Sequence, residues 1–196
     1  MVLLTYMLAG MAIAIAALCN LKSANPYIGA ALFVFGLSTV VTMKWGLFTG
    51  RVGQFDSLGS FKLLFPMLLL NVIGTGSVAI IGNFMGASVT ENANRIVEAR
   101  LSTPIEGIFL LSCLCGFIMT VSVVQSNKKN WLPLITGIPL FVISSFPHCI
   151  ADVTYYTNSD YSFLDYYNVW LISILGNAVG GNVPSLYRFL VKNEIS

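Results

Sequence analysis

Long uncharged stretches dominate the pattern of polar and apolar positions along the chain. Each lacks Asp, Glu, Lys and Arg and reaches or approaches the roughly 20 residues that an α-helix needs to cross a bilayer. Runs of this kind leave no polar helix face for water, which argues against the helices of a soluble domain. The pattern predicts six transmembrane helices, at residues 1–21, 25–43, 63–90, 107–127, 130–151 and 166–187.

The composition agrees with a membrane protein. Charged residues make up 9% and hydrophobic residues 56% of the chain, whereas ordinary soluble domains have about 25% charged residues. The segments between the runs are short, so we expect a single membrane domain over residues 1–196. The net charge of +2 suggests no nucleic-acid partner.

The sequence contains no set of residues that indicates catalysis. There is no Ser-His-Asp set, no metal-ligand cluster and no phosphate-binding loop, so we predict neither an enzyme nor a bound metal or cofactor. All four cysteines lie within apolar runs, which favours buried free thiols over disulfides or metal ligands.

Arginine and lysine residues favour one orientation of the helices. The first run has no such residue before Lys22, so it lacks the positive segment of a signal peptide and is predicted to remain as a helix. With the amino terminus inside, the outer segments carry only Lys22, Arg95 and Arg100. The positive-inside rule therefore predicts cytoplasmic termini, in a multi-pass protein embedded in the lipid bilayer of the cell (inner or plasma) membrane. The inner cations are then Arg51, Lys62, Lys128, Lys129, Arg188 and Lys192.

The two halves of the chain share a motif. Asn71-Val-Ile-Gly74 in the third run matches Asn177-Ala-Val-Gly180 in the sixth. Three helices per half place the second half in the opposite orientation, so the sequence predicts inverted repeats of about residues 1–90 and 100–192. Such repeats commonly form a pathway along their interface.

Two of the runs are interrupted. Glycines and Lys44 break the second run after Met43, and serine and proline break the fifth around His148. Irregular backbone survives at membrane depth only where it is buried in protein or lines a wet cavity. We therefore expect both breaks to face one central path.

His148 is the only histidine in the chain and lies within an uncharged run. An ionisable side chain at membrane depth is costly and usually faces a bundle interior or an aqueous path. Its unperturbed pKa of about 6.5 makes both protonation states accessible. His148 is thus the first candidate for a functional residue.

Several motifs match one known family in order and spacing across nearly the whole chain. They are residues 33–37 and 46–50 in the second run, Phe141 seven residues before His148, and residues 176–181 in the sixth run. Together they resemble the formate/nitrite transporter family, whose members are pentameric channels for small monovalent anions. The resemblance implies an aquaporin-like, all-α fold with one pore per protomer, and a homopentamer.

The resemblance also implies a substrate site. In relatives, the loop that matches Leu47, Phe48 and Thr49 meets the histidine that matches His148 in the middle of the pore. Thr49 would hold one substrate oxygen and His148 another. Two apolar constrictions would flank this site, formed by Phe33, Leu37, Leu47 and Phe141.

Two charged residues accompany the predicted site. Arg100 aligns with a lysine near the outer vestibule of relatives and is expected to attract anions. Asp152 replaces an asparagine that relatives carry four residues after the histidine, and Pro147 replaces a glutamate. One turn from His148, Asp152 either pairs with the histidine or lies solvated at the outer mouth, and the sequence leaves both open.

These observations lead to three hypotheses. The first is passage of small monovalent weak-acid anions, with formate and nitrite first and hydrosulfide or short monocarboxylates next. In it, the apolar rings disfavour a bare anion because its desolvation is costly. The second is a channel for neutral solutes such as water, ammonia or hydrogen sulfide. The third is a structural or regulatory membrane subunit that transports nothing.

Overall fold

The computed structural model of the protein describes residues 2–54 and 62–194, and these residues form helices without any β-strand. In chain order the helices are α1 (Val2–Lys22), α2 (Pro26–Thr42), α3 (Phe48–Arg51), α4 (Leu64–Ala79) with a 3-10 extension (Ile80–Phe84), α5 (Ala87–Leu101), α6 (Ile105–Asn127), α7 (Leu132–Ile143), α8 (Ala151–Thr157) and α9 (Phe163–Glu194).

Within residues 2–54 and 62–194, four helices are long and apolar enough to cross a membrane. They are α1, α4 with its extension, α6 and the first 25 residues of α9. Helices α2 and α7 are also apolar but have only 17 and 12 residues. Each is followed by a break and then by a short helix, α3 or α8. The second and fifth predicted runs are thus interrupted where glycine, serine and proline had indicated.

The third predicted run was too long. It was expected to reach Thr90, but the 3-10 extension ends at Phe84 and Gly86 follows with φ 95°. This left-handed conformation suits glycine and separates α4 from α5. Helix α5 was not predicted, because its charged residues lie between two uncharged runs and suggested a loop. Its buried face contains Val89, Ala93, Val97 and Arg100, at helical spacing.

Left-handed residues end the two interrupted helices. Asn25 directly precedes helix α2 and caps it. Its side chain accepts a hydrogen bond from the Tyr27 N–H at 2.9 Å, a usual role for asparagine at a helix start. The chain leaves α2 at Lys44, with φ 57°, and leaves α7 at Ser145, with φ 54°. Residues other than glycine pay a free-energy cost there, so surrounding contacts must hold both breaks.

Two groups of helices pack against each other. Helix α1 packs along α4 and α2, and α6 packs in the same way along α9 and α7. Helices α2 and α7 then contact each other between the groups. The short helices cross over, because α3 packs on α6 and α9 while α8 packs on α1 and α4. Each short helix therefore contacts long helices from the opposite half of the chain.

Glycines allow the closest of these helix contacts. An added Cβ at Gly74 would overlap the Met7 carbonyl of α1, and one at Gly180 would overlap the Cys113 carbonyl of α6. Small residues at such crossings let helix backbones approach each other. The glycine of each Asn-x-x-Gly motif thus lies at a close helix contact.

A pair of alanine substitutions in α4 tests this packing. Gly74→Ala is expected to destabilise the protein by about 1–3 kcal/mol, the usual cost of overpacking, because the new Cβ meets the backbone of α1. Gly76→Ala is the control, since its Cβ would meet no atom within 4 Å. Thermal unfolding in detergent should show a lower Tm for the first variant alone. Equal Tm values for the two variants would contradict the role of Gly74.

Candidate functional site

The side chain of Asn71 holds the first break. Its Oδ1 accepts a hydrogen bond from the Phe48 N–H at 2.8 Å, and its Nδ2 donates to the carbonyls of Tyr6 at 2.7 Å and Gly46 at 2.9 Å. A break in a transmembrane helix frees backbone groups that no water can reach. One buried amide therefore satisfies groups on both sides of residue 47 and ties them to α1.

Asn177 holds the second break in the same way. Its Oδ1 accepts from the Cys149 N–H, and its Nδ2 donates to the carbonyls of Ser112 and Pro147, each at 2.9 Å. The break has one further support, because the Trp170 indole donates to the Cys149 carbonyl at 2.8 Å. The second break is thus fixed to α6 and α9.

The two breaks follow the same backbone course. In the first, the Trp45 N–H donates to the Val40 carbonyl at 2.9 Å, and in the second the Phe146 N–H donates to the Phe141 carbonyl at 3.0 Å. A left-handed residue directly precedes each donor. The chain therefore turns back towards the middle of the protomer twice, by the same local geometry.

Leu47 and His148 hold corresponding positions in the two breaks. Each lies between the carbonyl and the N–H that an asparagine amide binds. Both side chains are buried. The two breaks thus present different side chains, one apolar and one polar, from the same backbone position.

His148 meets Thr49 in the interior. Its Nε2 lies 2.9 Å from the Thr49 Oγ1, and the two residues are 1% and 0% exposed. Its Nδ1 accepts a hydrogen bond from the Ala151 N–H at 3.0 Å. In the neutral ring the proton must then be on Nε2, which donates to the Thr49 hydroxyl. The hydroxyl hydrogen of Thr49 remains available for another acceptor.

Aromatic rings surround this pair on one side. The Phe141 ring stacks on the His148 ring, with centroids 5.6 Å apart and planes at 21°. Phe33 contacts Phe141 edge-on, with centroids 5.7 Å apart. Leu37, one turn beyond Phe33 on α2, is buried in the same cluster together with Leu47 and Phe48. These side chains therefore form an apolar surface on one side of the pair of His148 and Thr49.

Cavities approach this centre from opposite faces. The first, which we call the His148 cavity, is lined by Asn20, Arg100, Phe141, Ser145, His148, Asp152 and Tyr155 among others. It adjoins a wider recess that shares Asn20, Ile96, Val142 and Ser145 with it. The second, the Leu47 cavity, is lined by residues that include Val40, Lys44, Leu47, Arg51 and Asn127.

The two cavities lie at opposite ends of the helices. The His148 cavity includes the end of α1 and the Leu47 cavity the end of α2, and α2 follows α1 through a short turn. The apolar cluster and the pair of Thr49 and His148 stand between them.

The charged residues beside His148 form an ion pair with each other. Arg100 Nη2 lies 3.0 Å from Asp152 Oδ1, and the side chains are 6% and 0% exposed. The guanidinium also lies 5.9 Å from the Tyr155 ring centroid, within cation–π range. Asp152 thus neither pairs with His148 nor lies solvated, contrary to both expectations. Arg100 lines the His148 cavity, and Asp152 offsets its charge.

Asn20 and Tyr155 also line the His148 cavity and were not predicted from the sequence. Asn20 lies near the end of the first run, where a polar residue attracts no attention. Tyr155 follows His148 by seven residues and Asp152 by three, which places the three on one face of a helical segment. That spacing was the available signal. Among the described residues, no three His, Cys, Asp or Glu side chains are placed to hold a metal ion.

Comparisons with known proteins agree with this architecture. The chain is similar to a pentameric formate channel with formate bound, with a TM-score of 0.81 and 21% identity over 97% of this chain and 96% of that one. It is also similar to an FNT family ion channel, with a TM-score of 0.81 and 20% identity over 92% and 85% of the two chains. At these identities the likeness shows the fold. The search of curated proteins gives no significant match.

The sequence itself matches a family. The model of the formate/nitrite transporter family covers residues 1–186. With several apolar helices and channel structures as neighbours, the protein is a multi-pass membrane channel or transporter and not an enzyme. Since the match extends over nearly the whole sequence, the chain belongs to the formate/nitrite transporter family.

Proposed function

We propose that the protein conducts small monovalent weak-acid anions between the Leu47 cavity and the His148 cavity. Formate and nitrite are the first candidates, and hydrosulfide and short monocarboxylates come next. The hydrogen bond between His148 and Thr49 carries this proposal, because it places one polar pair in an apolar centre between two cavities. A structural relative is a pentameric formate channel, which supports a homopentamer with one path per protomer.

The path would follow the interface of two inverted repeats, of about residues 1–90 and 100–192. The equal roles of Asn71 and Asn177, the equal courses of the two breaks and the equal packing of α1 and α6 support this symmetry. Six membrane segments then arise from the four long helices and two interrupted ones, in one domain. The pathway lies where each break reaches into the opposite half.

The polar pair would act as a hydrogen-bond relay. Neutral His148 donates from Nε2 to the Thr49 oxygen, and this polarises the Thr49 hydroxyl. A formate or nitrite oxygen in the path then accepts the hydroxyl hydrogen. Phe33, Leu37 and Phe141 offer no partner to a charged oxygen, so an anion pays its desolvation cost there. The conjugate acid crosses these rings more cheaply than the bare anion.

We also propose that the protein lies in the cell membrane and that the Leu47 cavity opens to the cytoplasm. Lys44 and Arg51 line this cavity, and Lys128 follows the end of α6 on the same face. An excess of cations favours the cytoplasmic side, and both termini would lie there. The side chains of Arg188 and Lys192, predicted on this side, lie outside the described part of the chain.

Substitution of the histidine tests the central site. His148→Phe is expected to reduce formate and nitrite flux into proteoliposomes by about tenfold or more, because the relay loses its only donor to Thr49. His148→Gln keeps an amide donor without a titratable ring and should retain more flux. Elution as the wild-type oligomer serves as the folding control. Unchanged flux in a folded His148→Phe variant would rule out the central site.

Substitution of the threonine tests the relay itself. Thr49→Val removes the hydroxyl at almost constant volume and leaves the His148 Nε2–H without its acceptor, so flux should fall by about tenfold. Thr49→Ser keeps the hydroxyl and should stay within about twofold of the wild type. Stopped-flow uptake of formate measures both. Equal loss in the two variants would indicate a packing role for the methyl group and no relay.

Flux assays in proteoliposomes also test the two alternative hypotheses, a channel for neutral solutes and a regulatory subunit. A channel for neutral solutes would conduct water or ammonia while formate uptake stayed at the level of empty liposomes. A regulatory subunit would conduct none of these solutes and would be purified with a stoichiometric protein partner.

A further inference from the structure

The two cavities carry opposite charges at corresponding positions. Arg51 comes four residues after Leu47, and Asp152 comes four residues after His148. In the Leu47 cavity the residue is a cation and stands with Lys44. In the His148 cavity it is an anion and pairs with Arg100. Only one of the two cavities therefore contains a built-in negative charge among its described residues.

Arg100 is only partly satisfied by its partner. The ion pair uses Nη2, whereas Nε and Nη1 are buried and have no hydrogen-bond partner among the described residues. A buried guanidinium with free N–H donors can bind a further acceptor, such as a water or an anion. These donors belong to a side chain that lines the cavity beside His148.

We propose that Asp152 is an internal counter-ion that competes with permeant anions for Arg100 and so limits their affinity for the His148 cavity. This inference rests on the proposed function. A carboxylate or nitrite ion offers Arg100 the same charge and the same oxygen acceptors as the Asp152 side chain. Because Asp152 belongs to the same chain and lies beside Arg100, its carboxylate is present at a high effective concentration around the guanidinium.

The selectivity of the channel follows from this competition. With Asp152 in place the pair has no net charge, so a bare anion in the cavity gains little Coulomb attraction. A neutral acid is almost unaffected by the pair. Asp152 thus shifts the preference of the cavity away from the anion and towards the uncharged form.

A purely structural ion pair is the competing explanation, and two variants separate the explanations. Asp152→Asn removes the counter-ion and keeps the shape of the side chain, which leaves the charge of Arg100 unopposed. The double variant Arg100→Gln with Asp152→Asn removes both charges and avoids an unpaired buried ion. Asp160→Asn is the matched control, since Asp160 is exposed, bonds Asn94 and loses the same unit of charge away from the pair.

The experiment measures uptake of labelled formate into proteoliposomes of the full chain at one fixed, mildly alkaline pH. Uptake is compared with and without an inside-positive potassium diffusion potential, and the part driven by the potential reports the anion. We expect this part to rise by about five- to tenfold in Asp152→Asn. It should stay within about twofold of the wild type in Asp160→Asn. In the double variant it should not exceed the wild-type level, because no guanidinium remains to attract the anion.

Each result bears on the inference. A folded Asp152→Asn variant with unchanged or lower anion uptake would overturn it. A double variant with the same rise as Asp152→Asn would also overturn it, because the gain would then not come from the freed Arg100. If Asp152→Asn does not elute as the wild-type oligomer, the double variant decides alone. A wild-type protein without formate or nitrite uptake would refute the proposed function first, whereas normal wild-type uptake with unresponsive variants refutes only the role of Asp152.

Discussion

The structure depends on how two broken helices satisfy their backbone at membrane depth. Where a helix is interrupted inside a bilayer, water cannot bind the freed N–H and C=O groups, and each unpaired group costs several kcal/mol. Asn71 and Asn177 remove this cost with three hydrogen bonds each. Because each amide also binds a carbonyl of a long helix, the same contacts attach the breaks to their surroundings. Without these two side chains neither break would be stable.

The contact between Thr49 and His148 is a consequence of this support. The breaks are held so that Thr49, from the start of α3, reaches His148, from just before α8. Neither residue lies in a long helix, and their contact joins parts of the chain that are far apart in sequence. The ring of Phe141 covers the histidine, and Phe33 supports that ring. The position of His148, and the tautomer of its neutral ring, are set by a backbone N–H on one side and by Thr49 on the other.

Much of this was predictable from the sequence, and the exceptions have physical reasons. Uncharged runs indicated the long helices, and glycine, proline and serine within them indicated the breaks. The Asn-x-x-Gly pairs and the family resemblance indicated that Thr49 and His148 meet. Helix α5 was missed because only one face of it is apolar, and its charges suggested a loop. The pair of Arg100 and Asp152 was missed because its partners come from separate helices, and no local pattern brings them together.

The way in which the asparagines hold the breaks separates shape from chemistry. Each amide forms hydrogen bonds with main-chain atoms on both sides of one residue, and these bonds do not involve the side chain of that residue. The backbone course therefore does not depend on which side chain occupies the position, and leucine and histidine adopt it equally. A transport protein with two such breaks can replace an apolar side chain by a polar one at either break, while the fold around it stays the same.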